Sequence, residues 1–230
     1  MKRFHIMVAT WAVALFLSTG PAHGTSFSEV GDAGDLPAIA QVPGGVGSLD
    51  EILGRIGNPS DQDMFKIFIS DPANFSASTN NPGTNLSQDS DTQLFLFDVN
   101  GMGLLANDDD PTAQDVRSNI PAGSFGGPPG LYFLAISIFD NDPVSAGGEI
   151  FDNDAPPLND TIVGPSGPGG GSPIIGWSSD PFVPQDGPYR IALTAATFPP
   201  RQVVTAPASL LTLGIAIFGL LGYRSRRRMP

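Results

Sequence analysis

Closely spaced carboxylates are the side chains of this 230-residue chain that are best suited to chemistry. Carboxylate oxygens are hard donors that suit calcium. Candidate ligands occur in three short groups, which are Asp61 with Asp63, then Asp108, Asp109 and Asp110, and finally Asp140 with Asp142. Asp61 and Asp63 alternate just before a strand-like run, so both side chains are expected on the same face of the chain. The sequence therefore predicts calcium as the cofactor, bound at one or more of these groups.

The third group lies in the one internal repeat of the sequence. The letters FDNDP begin at Phe139, and FDNDAP begins twelve residues later at Phe151. Two copies are too few for a calcium-binding repeat array, which needs several stacked units. The acidic residues of both copies are nevertheless candidates to close over one cation, and they are Asp140, Asp142, Asp152 and Asp154.

Residues 1–24 carry the pattern of a targeting signal. Lys2 and Arg3 precede an apolar run, and small residues follow that run before Thr25. This pattern is typical of a secretory signal peptide, and the run is too short to span a bilayer comfortably. The sequence therefore predicts an exported protein.

Residues 206–230 form a second targeting segment. The part from 206 to 223 is apolar, uncharged and just long enough to cross a membrane. A cluster of arginines follows, at Arg224, Arg226, Arg227 and Arg228. A positive cluster stays on the cytoplasmic side, so the residues before 206 are expected to face outward. A transmembrane helix is the prediction, and a buried core helix is the alternative.

This tail resembles the PEP-CTERM sorting signal of Gram-negative bacteria. Pro207 is followed by Ala-Ser-Leu-Leu, a glycine-containing apolar stretch and the arginine cluster, in the family's order. Thr205-Ala206-Pro207 stands where the family has Pro-Glu-Pro, so one of the two prolines is kept. The resemblance implies an exosortase-type membrane protease as a partner. It also implies attachment to the cell membrane through the C-terminal helix before processing, and display at the cell surface or release afterwards.

Charge and histidine content exclude several classes of function. Without the targeting segments, five basic residues against 23 acidic ones give a formal charge of −18, which repels nucleic acid and anionic lipid. The chain has no cysteine, and both histidines, His5 and His23, fall within the predicted signal peptide. Thiol and imidazole catalysis and histidine zinc sites are therefore excluded for the exported part. A carboxylate pair such as Asp108 and Asp142 remains as the alternative, for a hydrolase.

The exported part shows strand periodicity between turn residues. Runs beginning at Met64, Leu131 and Tyr189 alternate between the two faces of a strand, and residues 61–197 keep no helical period. An all-β sandwich is therefore predicted. Residues 48–57, in a less regular region, are the one candidate for a short helix or turn.

The stretch DTQLFLFDVNGMGLLANDDD, residues 91–110, predicts a β-hairpin. Its first half is apolar on both faces, as expected of a strand buried between sheets or under a long loop. Asp98 and Gly101 supply turn chemistry between the two strands. Residues 108–110 are expected to leave the sheet with their charges in water. The spacing of these residues excludes an EF-hand.

The order of these motifs resembles the bacterial pre-peptidase C-terminal domain. A Gly-Asn-x-x-Asp-x-Asp-x-Phe start, the hairpin, an Asn-Asp-Asp exit and a Pro-Gly-Leu-Tyr-Phe-Leu-Ala-Ile strand follow one another between residues 57 and 196. The resemblance implies a non-catalytic, jelly-roll-like antiparallel β-sandwich. Some relatives hold calcium through acidic residues near the start of the domain, where Asp61 and Asp63 match. A long insertion, residues 140–173, departs from the family.

Together these patterns predict five segments, which are a signal peptide (1–24), an irregular N-terminal segment (25–56), the β-sandwich (57–197), a linker (198–205) and the sorting tail (206–230). The expected function is that of a non-enzymatic exported protein of the cell envelope, extracellular matrix or adhesion, with extracellular polysaccharide as a candidate partner. A carbohydrate-binding module is one alternative, with Trp177 in an aromatic stacking platform if that side chain is exposed. A carboxylate-based hydrolase is the other.

Overall fold

The computed structural model describes residues 25–79, 91–112, 116–153, 161–179 and 186–201. These residues form an all-β fold with one 3₁₀ turn at Pro72–Asn74. In chain order the strands are β1 (Thr25–Ser28), β2 (Leu49–Ile56), β3 (Asp63–Ile69), β4 (Ser76–Ser78), β5 (Thr92–Phe97), β6 (Gly103–Asn107), β7 (Asn119–Ile120), β8 (Gly130–Ile138), β9 (Asn141–Ser145), β10 (Gly148–Glu149), β11 (Gly176–Ser179), β12 (Gly187–Thr194) and β13 (Ala196–Thr197). The predicted all-β class is confirmed.

Ten of these strands form two five-stranded sheets. The first sheet has the order β1-β2-β12-β4-β7, and the second has the order β13-β3-β8-β5-β6. Neighbouring strands are antiparallel, except that β1 runs parallel to β2. Side chains of both sheets, such as Ile52 and Ile191 of the first and Phe65 and Leu134 of the second, are buried in one hydrophobic cluster. This arrangement is consistent with a β-sandwich.

A third, smaller sheet packs on the second one. Its strand order is β10-β9-β11, and β9 and β10 lie in the insertion predicted at residues 140–173. A second hydrophobic cluster combines Phe95, Phe97 and Phe133 of the second sheet with Phe151 of the insertion. The prediction that β5 is buried on both faces is confirmed, because all six of its residues are buried.

The predicted hairpin of β5 and β6 is also confirmed. The two strands are antiparallel neighbours. Asp98 Oδ1 accepts hydrogen bonds from the backbone N–H groups of Asn100 at 2.8 Å and Met102 at 2.9 Å. Gly101 has φ of 80°, a conformation that favours glycine. Aspartate and glycine therefore fix this turn in the way their types indicate.

The prediction of a short helix or turn at residues 48–57 is wrong. This stretch contains β2, which pairs with β12 from Ile56 to Glu51. Leu49, Ile52 and Ile56 are buried in the core. Burial against the opposite sheet therefore overrides the weak local signal, and β1 and β2 join the first sheet from within residues 25–56.

The expectation that residues 108–110 keep their charges in water is wrong for Asp108 and Asp110, whereas Asp109 is partly exposed. Asp108 is 1% exposed and Asp110 is 4% exposed. The chain returns over β6, where Val163 and Ala106 form an antiparallel bridge. The Asn107 side-chain amide donates to two backbone carbonyl oxygens of this region, at 2.7 and 3.1 Å. A returning segment far along the sequence covers a stretch that looks locally like an exposed turn.

Candidate metal centre

Three carboxylates meet where the N-terminal segment passes the start of β3. Glu29, Asp32 and Asp63 each offer one oxygen, and these three oxygens lie within 4.8 Å of one another. Asp63 is buried, Glu29 is half-buried and Asp32 is exposed. We call this set the first carboxylate cluster. It joins one ligand predicted from the sequence, Asp63, to two residues that were not predicted.

Backbone hydrogen bonds hold Glu29 in place directly after β1. Its N–H donates to the carbonyl oxygen of Leu53 at 2.8 Å, which extends the pairing of β1 with β2. Its two carboxylate oxygens accept the N–H groups of Ala33 and Arg55, each at 2.9 Å. The position of this carboxylate is therefore set by the fold itself.

Asp63, the first residue of β3, is fully buried. Its Oδ1 accepts the N–H of Ala33 at 3.3 Å, whereas its Oδ2 makes no hydrogen bond of ordinary geometry with any described residue, although the Tyr189 hydroxyl is nearby. Leaving a buried polar atom without a partner costs on the order of 1–3 kcal/mol, and more for a charged group. A cation between these carboxylates would supply the partner that the protein does not.

Burial dominates the electrostatics of this cluster. Desolvation raises the pKa of Asp63 to about 8, and the charges of Glu29 and Asp61 add to the rise, while the nearby Tyr189 hydroxyl opposes it. Burial also raises the pKa of Glu29. A bound divalent cation would favour the ionised form of both groups and so reverse this tendency.

Tyr189 and Gly54 shape the buried side of the cluster. Among the described residues the Tyr189 hydroxyl makes no hydrogen bond of ordinary geometry, although it lies close enough to Asp63 to lower the pKa of that carboxyl. Burial together with the charge on Asp63 raises the pKa of Tyr189 well above the usual value. Gly54 faces Tyr189 in the pairing of β2 with β12. A Cβ at Gly54 would overlap the Tyr189 hydroxyl and lie 2.5 Å from Oε2 of Glu29. The space next to the carboxylates thus depends on glycine at this position.

A pocket of about 350 Å³ opens beside the exposed member, Asp32. Its other polar lining residues are Asp35, Asn58, Ser60, Asp61 and Gln62. Asp61, the second ligand predicted near the start of the domain, accepts the N–H of Gly57 at 2.5 Å, and burial raises its pKa. Asp61 therefore lies next to the first carboxylate cluster, outside its three converging oxygens.

A second carboxylate cluster lies at the ends of β5 and β6. Asp91, Asp108 and Asp109 offer oxygens within 4.8 Å of one another. Burial raises the pKa of Asp91 to about 7, and the charge of Asp109 adds to the rise. Two of the three predicted residues 108–110 thus belong to this cluster. The third, Asp110, accepts the N–H and hydroxyl of Thr112 at 2.8 and 2.7 Å.

The acids of the internal repeat are placed differently. Asp142 is buried, and its Oδ1 accepts the side-chain amide of Gln93 at 3.1 Å. Asp140 lies in the turn between β8 and β9, with φ of 60°. Within the described part of the chain, Asp140, Asp142 and Asp152 belong to no group of three converging carboxylates, and Asp154 lies outside that part. Nothing in the described residues therefore supports the expected shared site of the two repeat copies.

The residues of the first carboxylate cluster fit calcium. Calcium binds about six to eight oxygen ligands in a flexible geometry, whereas magnesium demands near-regular octahedral coordination and keeps several waters. The cluster is made of carboxylates, one of which has a buried oxygen without a hydrogen bond. Glu29, Asp32 and Asp63 would hold the ion, and the ion would neutralise their mutual repulsion.

Sequence reasoning missed Glu29, Asp32 and Asp91. The first two lie in the segment without strand periodicity, far in sequence from β3. The one local signal is a pair of glycines around Asp32. Gly31 and Gly34 have φ of 75° and 68°, so each glycine marks a tight turn.

Trp177 does not meet the condition set for an aromatic sugar platform. It is half-buried in the second hydrophobic cluster, with its ring edge-to-face against Phe95 at 5.5 Å. Its indole N–H donates to the backbone carbonyl oxygen of Asp35 at 2.8 Å. Trp177 therefore packs the third sheet against the N-terminal segment.

The remaining predicted residues belong to the sorting tail, which lies outside the described residues along with the predicted signal peptide. They are Pro207, Arg224, Arg226, Arg227 and Arg228. Among the residues that the structure describes, no helix is long and apolar enough to cross a membrane.

No protein-family model and no curated protein matches this chain.

Proposed function

We propose that this chain is a non-enzymatic, exported β-sandwich protein that is stabilised by calcium at the first carboxylate cluster. Its connectivity is jelly-roll-like, as the resemblance to the pre-peptidase C-terminal domain implies. A signal peptide and a transmembrane sorting tail flank the domain. The protein serves the cell envelope, the extracellular matrix or adhesion.

The observation that carries this proposal is the state of Asp63. Its carboxylate is fully buried, its Oδ2 makes no hydrogen bond of ordinary geometry within the described part of the chain, and two more carboxylates lie beside it. Ionising this buried carboxyl without compensation is strongly unfavourable, which is why it keeps its proton up to a pKa of about 8. The arrangement is much less costly when a divalent cation binds there, which is the physical support for a metal site.

A cation at this cluster would link the two large sheets. Glu29 is bound to the backbone of β2 through Leu53 and Arg55, and β2 belongs to the first sheet. Asp63 opens β3, which belongs to the second sheet. An ion held by both residues would therefore tie the sheets together at one edge, which is a structural role.

Thermal unfolding of the full chain in detergent tests the calcium site. Calcium should raise Tm more than magnesium does at matched ionic strength, because the ion binds the folded state. The stabilisation is about 2.7 kcal/mol when calcium is at a hundredfold excess over its Kd. Glu29→Gln should abolish this calcium-specific increment.

Asp50→Asn is the matched control for that experiment. Asp50 is an exposed acid of β2 outside both carboxylate clusters, so this variant loses the same charge without losing a ligand. Equal responses to calcium and magnesium in the parent protein would reject the metal site and leave the acids as a solvated coat.

The sorting tail is tested separately. Replacing Arg224, Arg226, Arg227 and Arg228 by neutral residues should impair membrane retention or topology, because the cluster sets the orientation of the final helix. Fractionation and protease accessibility of intact cells would report the change. Unchanged behaviour of the variant would contradict the predicted tail.

A further inference from the structure

The pocket beside the first carboxylate cluster is a feature that the proposed function leaves unused. Asp32 belongs to both the pocket and the cluster, so a molecule in the pocket would lie next to a cation held by the cluster. The pocket is lined mainly by polar side chains. Through Asp32 the pocket adjoins the fully buried Asp63, whose Oδ2 makes no hydrogen bond of ordinary geometry with the residues that the structure describes.

We propose that this pocket binds one residue of a neutral sugar, whose adjacent hydroxyl oxygens complete the coordination of calcium at the first carboxylate cluster. The inference rests on the proposed function, because it requires the ion. It adds a ligand class to that function, namely an uncharged glycan.

The first step of the argument concerns coordination. Calcium takes about six to eight oxygen ligands. The cluster provides three carboxylates, and both oxygens of Glu29 already accept backbone N–H groups. Coordination positions therefore remain for oxygens from solvent or from a ligand. Asp32, the exposed member of the cluster, is also the member that lines the pocket.

The second step concerns the chemistry of the lining. Asp32, Asp35 and Asp61 bring carboxylates to the pocket, and ionised carboxylates only accept hydrogen bonds. A ligand at this place needs O–H groups that donate to carboxylates and lone pairs that face the ion. Alcohol hydroxyls do both, whereas ammonium and guanidinium groups cannot coordinate a metal, and fully ionised carboxylate or phosphate groups have no O–H to donate. Two adjacent hydroxyls of a sugar ring meet this requirement.

The third step concerns charge. Five carboxylates lie in or beside the pocket, namely Glu29, Asp32, Asp35, Asp61 and Asp63. One divalent ion carries two positive charges, fewer than the number of acidic groups gathered here. The region stays negative after calcium binds and disfavours anionic sugars such as uronates.

Size and surface set the expected affinity. The volume of about 350 Å³ is near the lower end of the range of about 300–1,000 Å³ for ligand pockets, so one sugar residue fits. Within the described part of the chain, no aromatic side chain lines this pocket, and Trp177 packs into the second hydrophobic cluster instead. Without aromatic stacking we expect a Kd of about 1 mM.

Saturation-transfer NMR on the full chain tests the proposal, in a detergent without a sugar headgroup. The probes are methyl α-mannopyranoside and methyl β-galactopyranoside, with galacturonate as the anionic comparison. We expect transfer to at least one neutral glycoside in calcium, its loss in excess chelator, and weaker transfer to galacturonate. Neutral glycoside binding that persists in chelator would overturn the proposal, and so would stronger binding of galacturonate.

A variant of the pocket separates this proposal from the proposed function. Asp35→Asn should weaken the glycoside Kd about tenfold, because one charge-assisted hydrogen bond is lost. It should keep the calcium-specific rise in Tm, since Asp35 is outside the three converging oxygens. Asp50→Asn should change neither quantity.

The outcomes distinguish the two ideas. A protein that shows the calcium-specific rise in Tm but no transfer to either neutral glycoside would overturn the sugar proposal and leave the calcium site standing. Unchanged glycoside affinity in Asp35→Asn would also overturn it. Absence of the calcium-specific rise would reject both.

Discussion

The two carboxylate clusters resemble each other in composition and differ in how the fold supports them. Each places three carboxylate oxygens within 4.8 Å, and each contains an aspartate whose pKa burial raises, to about 8 for Asp63 and about 7 for Asp91. The first cluster joins two sheets and opens on a pocket through Asp32. The second lies at the ends of β5 and β6, which are neighbours in one sheet.

This difference shows that converging acids alone do not identify a metal site. The first cluster has a buried oxygen of Asp63 without a hydrogen bond, an exposed third ligand and a route to solvent. The buried member of the second cluster, Asp108, has interactions of its own. The exposed ligand and the adjoining pocket therefore favour the first cluster as the cation site.

The largest expected effect compares the buried members of the two clusters. Asp63→Asn should abolish a calcium-specific stabilisation of about 2.7 kcal/mol at hundredfold excess ion, whereas Asp108→Asn should retain it. The quantity to compare is the difference between Tm in calcium and Tm in magnesium for each variant. This difference cancels whatever the substitution does to the fold itself. Loss of the increment in Asp108→Asn alone would move the site to the second cluster.

A second effect is expected from Gly54, which lies against Tyr189 and the Glu29 carboxylate. Gly54→Ala should destabilise the protein by about 1–3 kcal/mol, because its Cβ would displace Tyr189 and the Glu29 carboxylate. It should also weaken calcium binding, which isothermal titration would measure. Gly126→Ala is the matched control, since a Cβ there meets no atom within 4 Å. Equal calcium affinity in the parent and Gly54→Ala would remove Glu29 from the proposed ligands.

The pH dependence without calcium should be of intermediate size. The pKa of Asp63 is about 8 in the folded protein and has an ordinary value of 3.8, so the folded state binds more protons than the unfolded state between these values. Stability should therefore fall as pH rises from about 4 to about 8, by at most about 1.4 kcal/mol per pH unit for this group. Denaturant unfolding at several pH values in chelator would measure the slope.

The dependence of stability on pH also distinguishes the two clusters. The decrease in stability caused by Asp91 should end near pH 7, the approximate value of its pKa. In Asp63→Asn the stability should no longer change between pH 7 and 8, and it should still decrease as the pH rises toward 7. An unchanged profile in this variant would contradict the raised pKa of Asp63.

The smallest effect concerns coupling within the second cluster. Asp109→Asn should lower the pKa of Asp91, because the charge of Asp109 contributes to its rise. The pKa should stay above its ordinary value, since burial is the larger cause and remains. Carbon-detected NMR titration of the side-chain carboxyl would follow this change. A pKa of Asp91 that does not move would show that the two groups are uncoupled.

Local patterns predicted much of the fold and less of the site. The alternating runs of β3, β8 and β12 and the turn chemistry of Asp98 and Gly101 act over a few residues, so the sequence predicts them. Burial of β5 on both faces was also visible, because its apolar residues do not alternate with polar ones. The strand at β2 was missed since packing against the opposite sheet decides its conformation.

The candidate metal centre depends on contacts between distant parts of the chain. Asp63 was predicted from its place before a strand, but no spacing rule connects it to Glu29 or Asp32. The burial of Asp108 was also invisible, because Val163 and its neighbours return over β6 from far along the sequence. Sequence patterns report local geometry, whereas these sites are set by sheet pairing.

The position of β12 has a consequence for the order in which the domain forms. In the first sheet β12 lies between β2 and β4, so among the described strands it is β12 that joins the pair β1-β2 to the pair β4-β7. Yet β12 spans Gly187–Thr194, near the end of the described chain. As the chain emerges from a ribosome or a translocation channel, the first sheet cannot close until that strand is out. Long-range pairing of this kind makes folding slow. The edges of the incomplete sheet stay unpaired, and so prone to aggregation, until β12 has emerged and paired with them.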